Sequence, residues 1–482
     1  MERGRQPMSE GKDDPGQTPA PNPRFVALIV ASSMFMAQLD STVVLTALPQ
    51  IARSFHVRPV DLSIGVTVYM LAQAVFLPAS GWIADRFGAR NVFAAAILLF
   101  VVSSVACGLS PNLGAFVMAR IVQGFAAACM TPVARVVLFR FTPKRELVSA
   151  MTIASAAMLI APTIGPPLGG FISTYGAWPW IFMLNVPPGL IGAALVLRFI
   201  PNFAGGVRRP FDTLGFVLSG GALSLFLYGL DRLGSSSAGG WALSVSLTLA
   251  GLGLGAAAAL HVRRAMHPIV SLSVFRSKIF SILSIGGGAL SRLPVRAAPF
   301  LLSLMFQTSL GMSAFKAGLL LLGFSAGDLV LKAGTTQTIR RFGFRKVILH
   351  GAFWMTLALI ACVGFGPATP WWAIIAVLVV AGMFRSLLFT GMSTLIYADI
   401  TPDQVGAATV LWNVTQQVTN ALGISLAAIV LRFAPVLRGA AHERASLADF
   451  RIALGVMGVF GLLSMISFAR LPRDAGAEMS AA

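Results

Sequence analysis

The chain has 482 residues, of which 56% are hydrophobic and 11% charged, against roughly half apolar and a quarter charged in soluble domains. That balance excludes an ordinary soluble fold and places the chain in a membrane. The net charge of +19 does not make it a nucleic-acid binder, because its basic residues lie in short clusters between apolar runs rather than on one soluble face.

In chain order, residues 1–23 are rich in Pro, Gly and charge. They have no apolar core or small-residue cleavage site, so they read as a disordered tail rather than a signal peptide. At about 20 apolar residues per crossing, six spans follow at 25–48, 60–83, 91–110, 113–138, 148–172 and 179–198. A pair comes next at 212–231 and 241–261, then six more at 278–307, 314–338, 346–366, 371–398, 404–431 and 449–469.

Lys and Arg number about 22 in the connections on the side of both termini and about 7 opposite, which puts both termini in the cytoplasm. Arg86-Phe87-Gly88-Ala89-Arg90-Asn91-Val92 is echoed by Arg341-Phe342-Gly343-Phe344-Arg345-Lys346-Val347, and Thr142-Pro143 by Thr401-Pro402. Both echoes follow equivalent spans on the same side, as in parallel-repeat transporters. The expected fold is all-α and integral to the membrane, with fourteen transmembrane helices in two six-helix parallel-repeat halves plus two inserted central helices. Its parts are a cytoplasmic tail (1–23), an N-terminal half (24–200), the inserted pair with its loops (201–268), a C-terminal half (269–470) and a second cytoplasmic tail (471–482).

Asp40 stands out because it lies inside an uncharged run from Phe25 to Leu48. A carboxylate at that depth costs several kcal/mol unless it is paired, wetted or protonated. It reads as a proton site, or else as a carboxylate fixed in a structural pair with arginine. At 1.5 Å per residue, Asp40 lies roughly 12 Å from the outer end of span one and Arg120 roughly 10 Å from that of span four, so the two could meet. A guanidinium favours the ionised carboxylate and desolvation the protonated one, and the balance could shift as a cavity opens or closes.

Several motifs then converge on one family. Gly81-Trp82-Ile83-Ala84-Asp85-Arg86-Phe87-Gly88-Ala89-Arg90 resembles the signature loop of the major facilitator superfamily. Leu39-Asp40-Ser41-Thr42-Val43-Val44 with Ala47-Leu48-Pro49 is similar to the first-span motif of that superfamily's fourteen-span drug:proton antiporters. The resemblance implies that Asp40 couples to protons and that Arg120, in Arg120-Ile121-Val122-Gln123-Gly124, assists proton transfer. Gly165-Pro166-Pro167-Leu168-Gly169-Gly170 resembles the fifth-span motif of exporters, with Ala156 where glycine is usual upstream. Prolines there break the hydrogen-bond ladder, and Gly169 and Gly170 let another helix approach, as they would in any kinked packing helix. Trp178-Pro179-Trp180 resembles the start of span six, with Pro179 in place of an arginine, and interfacial anchoring is the expected role of its tryptophans.

The signature loop has a readable physics. Asp85 can bond Arg86 or Arg90 and cap a neighbouring helix, while Gly88 permits a tight turn. The loop, through Gly81, Asp85, Arg86, Gly88 and Arg90, would latch one conformation, or else serve only as a plain basic anchor. Arg340 occupies the position of Asp85 in the second copy, so any latch is one-sided.

In the second half, Arg292, Arg296, Asp328, Lys332 and Arg385 lie inside apolar stretches. Asp328 and Lys332, four residues apart with the acid first, suit a local helical pair. Asn413, Gln416, Gln417 and Asn420 share one helix face. With Gln123, Arg292, Arg296, Asp328, Arg385 and Trp412 they make the expected substrate cavity, with Trp412 as a stacking surface; the alternative is a structural ion network of the charges and cross-helix bonds of the amides. Positive charge exceeds negative among these buried residues, which favours neutral, zwitterionic or anionic amphiphiles over dications.

The expected function is proton-coupled export of small amphipathic molecules across a bacterial inner membrane, with protons, substrate and lipid as partners and no nucleic acid. A periplasmic adaptor on the outer face is left open. A dedicated metabolite or siderophore exporter of the same fold is the alternative, and an integral membrane enzyme the remote one, since His56, His261, His267, His350 and His442 form no catalytic spacing. No Gly-rich phosphate loop is present, and no cofactor or metal is implied. Cys107, Cys129 and Cys362 fall in apolar runs at spacings that fit no disulfide or metal framework.

Overall fold

Each long apolar run folds as a helix, because a backbone removed from water has to satisfy its own hydrogen bonds. A computed structural model describes residues 23–142, 147–201, 210–235, 240–265, 272–401, 404–439, 445–473 and 475–476. Residues 1–22 of the N-terminal tail, most of the C-terminal tail, Pro143, Pro402, His267 and His442 lie outside the described residues.

The first group of helices is α1 (Pro23–Ser54), α2 (Ser63–Phe87), α3 (Ala89–Gly108), α4 (Leu113–Phe141), α5 (Leu147–Tyr175), α6 (Trp180–Met183) and α7 (Val186–Phe199). Then come α8 (Thr213–Ser235) and α9 (Trp241–Arg264). The last group is α10 (Lys278–Ser284), α11 (Gly287–Leu304), α12 (Ala314–Phe342), α13 (Phe344–Ala361), α14 (Trp371–Leu395), α15 (Val405–Leu437) and α16 (Leu447–Phe468). Among the described residues there is no strand, and 13 segments are long and apolar enough to cross a membrane. The expected fifth span coincides with α5, a 29-residue helix that is not among those 13.

Two expected spans are interrupted. The sixth is split into α6 and α7 by a turn at Leu184 and Asn185, where Pro187 and Pro188 can only begin a new helix. The ninth is split at Ile285 and Gly286, ahead of Gly287 and Gly288. A side chain at Gly287 would run into Phe468 and the backbone of Ser464, so these glycines trade helix propensity for a close approach of α16.

Local signals set other boundaries. Asn112 caps α4 by accepting from the Ala115 amide at 2.9 Å, and Ser313 caps α12 through the Lys316 amide at 3.2 Å. Ser446 and Asp449 form a capping box on α16, and Arg438 donates to both Asp449 oxygens at 2.8 Å. Gly88 and Gly343 adopt φ of 85° and 77°, which glycine tolerates without strain, and so turn α2 into α3 and α12 into α13 in the same way.

The pairings of the two groups correspond. α1 packs on α5 as α11 packs on α15, α2 on α4 as α12 on α14, and α3 on α4 as α13 on α14. Across the groups α5 meets α12 and α2 meets α15. α8 lies on α9 and touches both α2 and α15. The buried residues of α9 are Ser244, Gly251 and Ala258, a stripe of small side chains every seventh position that brings α8 close.

Candidate functional site

α1 and α4 are adjacent, and their contact carries Asp40 and Arg120. Arg120 Nη1 donates to Asp40 Oδ2 at 2.6 Å, and neither side chain is exposed. Gln123 Nε2 and Asn185 Nδ2 each donate to Asp40 Oδ1 at 3.0 Å. Ser104 Oγ accepts from the same two amides at 2.7 and 3.3 Å and so fixes them. Arg120 also donates from Nε to the Gly65 carbonyl at 3.1 Å, and its guanidinium lies 4.2 Å from the Tyr69 ring centroid. Every neighbour of the carboxylate donates, an arrangement that suits an acceptor-only group. The depth arithmetic thus brings the right pair together. Asn185 and Ser104 were missed, although an asparagine just before Pro187 in an apolar run is itself a signal of a buried polar contact.

Beside this sealed cluster lies a cavity of ≈ 720 Å³. Its lining includes Gln38 and Ser41 of α1, Tyr69 and Gln73 of α2, Thr131 and Arg135 of α4, and Arg296 of α11. Asp328 and Lys332 of α12, Arg385 of α14, and Asn413, Gln416 and Gln417 of α15 complete the polar wall. The cavity reaches Gly81, Lys332 and Thr409, and so faces the end of the bundle that carries the loops around Gly88 and Gly343.

The opposite end is closed by contacts between the groups. Ser303 Oγ donates to the Leu45 carbonyl at 3.1 Å, Gln307 Nε2 to that of Thr46 at 3.2 Å, and the Phe315 amide to Thr174 Oγ1 at 3.0 Å. α5 is central to this closure. A side chain added at Gly165 or Gly169 would strike Thr42 and Val43 of α1, and one at Gly170 the Ala314 backbone of α12. Pro166 abuts Gly318 on the same α12 face.

Several expected cavity residues are elsewhere. Gln123 belongs to the Asp40 cluster, where both ends of its amide are used. Arg292 is fully buried behind the cavity, its guanidinium 4.1 Å from the Trp412 ring centroid, with Nη1 donating to the Ser284 carbonyl at 3.4 Å. Trp412 is therefore covered by Arg292 and is not a free stacking surface. Asn420 is buried too and donates to Gln417 Oε1 at 3.2 Å. Arg296, Asp328, Arg385, Asn413, Gln416 and Gln417 do line the cavity.

The expected pair within α12 is also replaced. Asp328 Oδ2 accepts from Arg385 Nη2 at 2.6 Å, while Lys332 Nζ donates to Thr390 Oγ1 at 3.0 Å, so both α12 side chains reach across to α14. The close α12–α14 contact at Gly327 and Gly382 explains why the longer-range partners win. Asp85 and Arg86 are exposed, and Asp85 forms no ion pair with Arg86 or Arg90 among the described residues. Arg90 bonds Asn91 instead, at 3.2 Å, and α3 begins at Ala89, after Gly88, without a side-chain cap. The cavity faces this end of the bundle. Of the two tryptophans expected at an interface, Trp180 is exposed and Trp178 is not: its indole donates to Ser54 Oγ at 2.9 Å within a cluster of Phe55, Phe116 and Phe182. Among the described residues no group of His, Cys, Asp or Glu is placed to hold a metal ion.

The family profile of the Major Facilitator Superfamily matches residues 30–298 and again 285–480. The chain belongs to the major facilitator superfamily. Among superfamily members, proteins called "Putative multidrug resistance protein MdtD" from Salmonella paratyphi A and Salmonella heidelberg are each 34% identical over 465 residues, covering 95% of this chain and 97% of theirs. A D-xylose-proton symporter shares the fold with a TM-score of 0.66 at 14% identity, over 94% of this chain and 98% of its own. A bacterial homologue of the human lysosomal transporter Spinster, in an inward-facing and unoccupied conformation, does so at 0.64 and 15% identity, over 94% and 97%. As a superfamily member the chain is a multi-pass membrane transporter and not an enzyme.

Proposed function

We propose that this transporter exports small amphipathic molecules in exchange for protons, by alternating access between two six-helix halves. The observation that carries the reading is the buried Asp40–Arg120 pair set directly behind an open cavity, with Tyr69 belonging to both. The names of the MdtD relatives support multidrug efflux as the physiological setting. The corresponding helix pairings, and the shared turns at Gly88 and Gly343, support fourteen crossings in two parallel-repeat halves, with α8 and α9 inserted between them. The basic loops then face the cytoplasm of a bacterial cell, together with both termini.

The mechanism follows from what is sealed and what is wet. In this conformation the cavity is open toward the basic loops and Asp40 is held by three donors, without access to the cavity. Closing that end and opening the other would separate α5 from α12 and wet the outer half of α1. A proton taken up by Asp40 from that side gives the carboxyl a donor where only donors face it, which releases Arg120. On the way back to the present conformation the proton leaves Asp40 for the inward side before the cluster reseals, and the ion pair with Arg120 is restored. The Gly81–Arg90 loop would latch the alternate state, when its end of the bundle is closed.

The decisive test is the purified protein in liposomes with an imposed pH gradient and a chemically diverse panel. Asp40→Asn should lower gradient-driven efflux by about 100-fold or more, with substrate binding retained. Uphill efflux persisting in that variant overturns the assignment.

A further inference from the structure

The charges that face the cavity are not balanced. Four cationic side chains line it, Arg135, Arg296, Lys332 and Arg385, against a single carboxylate, Asp328, which is already paired with Arg385. Arg120 and Arg292, the other buried cations, are turned away from it. Lys332 donates to Thr390 near the mouth. Arg296 and Arg135, both half-buried, take part in no hydrogen bond or ion pair among the described residues. Arg296 of α11 and Arg385 of α14 line the same cavity, so like charges face one another across it. An unpaired guanidinium within low-dielectric walls is costly, and an anion entering the cavity relieves that cost.

We infer that the cavity binds amphipathic organic anions, and that Arg296 holds their carboxylate or equivalent oxyanion. The inference rests on the transporter reading above and names its substrate class. Guanidinium geometry suits such a group, which it can meet with two parallel N–H donors. Asn413 and Gln416 can hydrogen-bond polar substituents, while Met34, Met70 and Val295 offer apolar wall to the rest of the ligand. A lipophilic cation, by contrast, meets three uncompensated positive charges and one acid whose partner it would have to displace.

Equilibrium binding to the full-length protein in lipid nanodiscs tests this, with two dyes built on one xanthene core: fluorescein, an anion at neutral pH, and tetramethylrhodamine methyl ester, a cation. Fluorescein should bind at least about tenfold more tightly than the cation. Arg296→Gln should weaken fluorescein about tenfold and leave the cation unchanged or tighter, while the charge-keeping Arg296→Lys should retain part of the affinity. Tighter or equal binding of the cation by the native protein, an unaltered fluorescein affinity in Arg296→Gln, or no fluorescein binding up to about millimolar concentration overturns the inference. No gradient is present, so the outcome is separate from proton coupling. Gradient-driven export of cations alone would leave the efflux reading standing and sink this one; charge-selective binding without gradient-driven transport would do the reverse.

Discussion

Arg120 and Asp40 compensate each other's charge at a place where neither side chain is exposed to solvent. Removing one partner of a buried pair leaves an uncompensated charge and costs about 3–5 kcal/mol, whereas replacing both is often close to neutral. Arg120→Ala should therefore lower the thermal unfolding midpoint of the detergent-solubilised protein clearly, and Asp40→Asn combined with Arg120→Gln should recover much of the loss. A double variant no more stable than Arg120→Ala would show that the pair is not what holds these helices. At this scale the sequence was readable where a charge interrupts an apolar run, because such a residue has few options: Asp40 was found that way, Arg120 through the resemblance of its motif, and the two do meet. The polar groups around them were not, since Asn185, which bonds Asp40, and Ser104, which holds the Asn185 amide, carry no charge and their roles depend on α7 and α3 lying against α1 and α4. Gln123 was assigned to the wrong side of the wall for the same reason. It stands one turn from Arg120, and only the packing decides that it turns to Asp40 rather than to the cavity.

α5 is the element on which closure of the far end turns. One face lies against α1 through Gly165 and Gly169, and another against α12 through Pro166 and Gly170. A β-branched side chain at Gly170 would collide with the Ala314 backbone. Overpacking of that kind costs about 1–3 kcal/mol, enough to move a two-state equilibrium by about fivefold to more than a hundredfold. Gly170→Val should thus favour the alternate conformation. Spin labels at Tyr175→Cys and Lys316→Cys, both at exposed positions, should move apart in that background, and an unchanged distance distribution would show that α5 and α12 do not form the gate. The glycine-proline run announced a close approach, but not the partner. Likewise the α15 amides, correctly placed on one face, divide between cavity and interior: Gln417 reaches Gln73 of α2, and Asn420 stays buried behind it.

For the whole molecule, the open cavity and the three buried cysteines offer a direct measure of orientation. Cys107, Cys129 and Cys362 are free and buried, so a water-soluble thiol reagent should find little background. Thr131→Cys, on the cavity wall, should label rapidly in inside-out membrane vesicles and slowly in right-side-out ones; the opposite order would invert the assigned topology. Helix existence, membrane residence, the paired turns and the family were determined by the sequence itself, because apolar length, basic-loop bias and short motifs are local properties that the bilayer reads directly. Which buried charges pair, which face the cavity, and which end is closed were decided only by the tertiary structure. Asp328 could have joined Lys332 one turn away and instead meets Arg385, because α12 and α14 approach closely enough for a stronger, cross-helix bond. Sequence spacing fixes what lies along a helix, while the choice among partners across helices depends on interaxial distance and rotation, and these are set by the whole packed bundle.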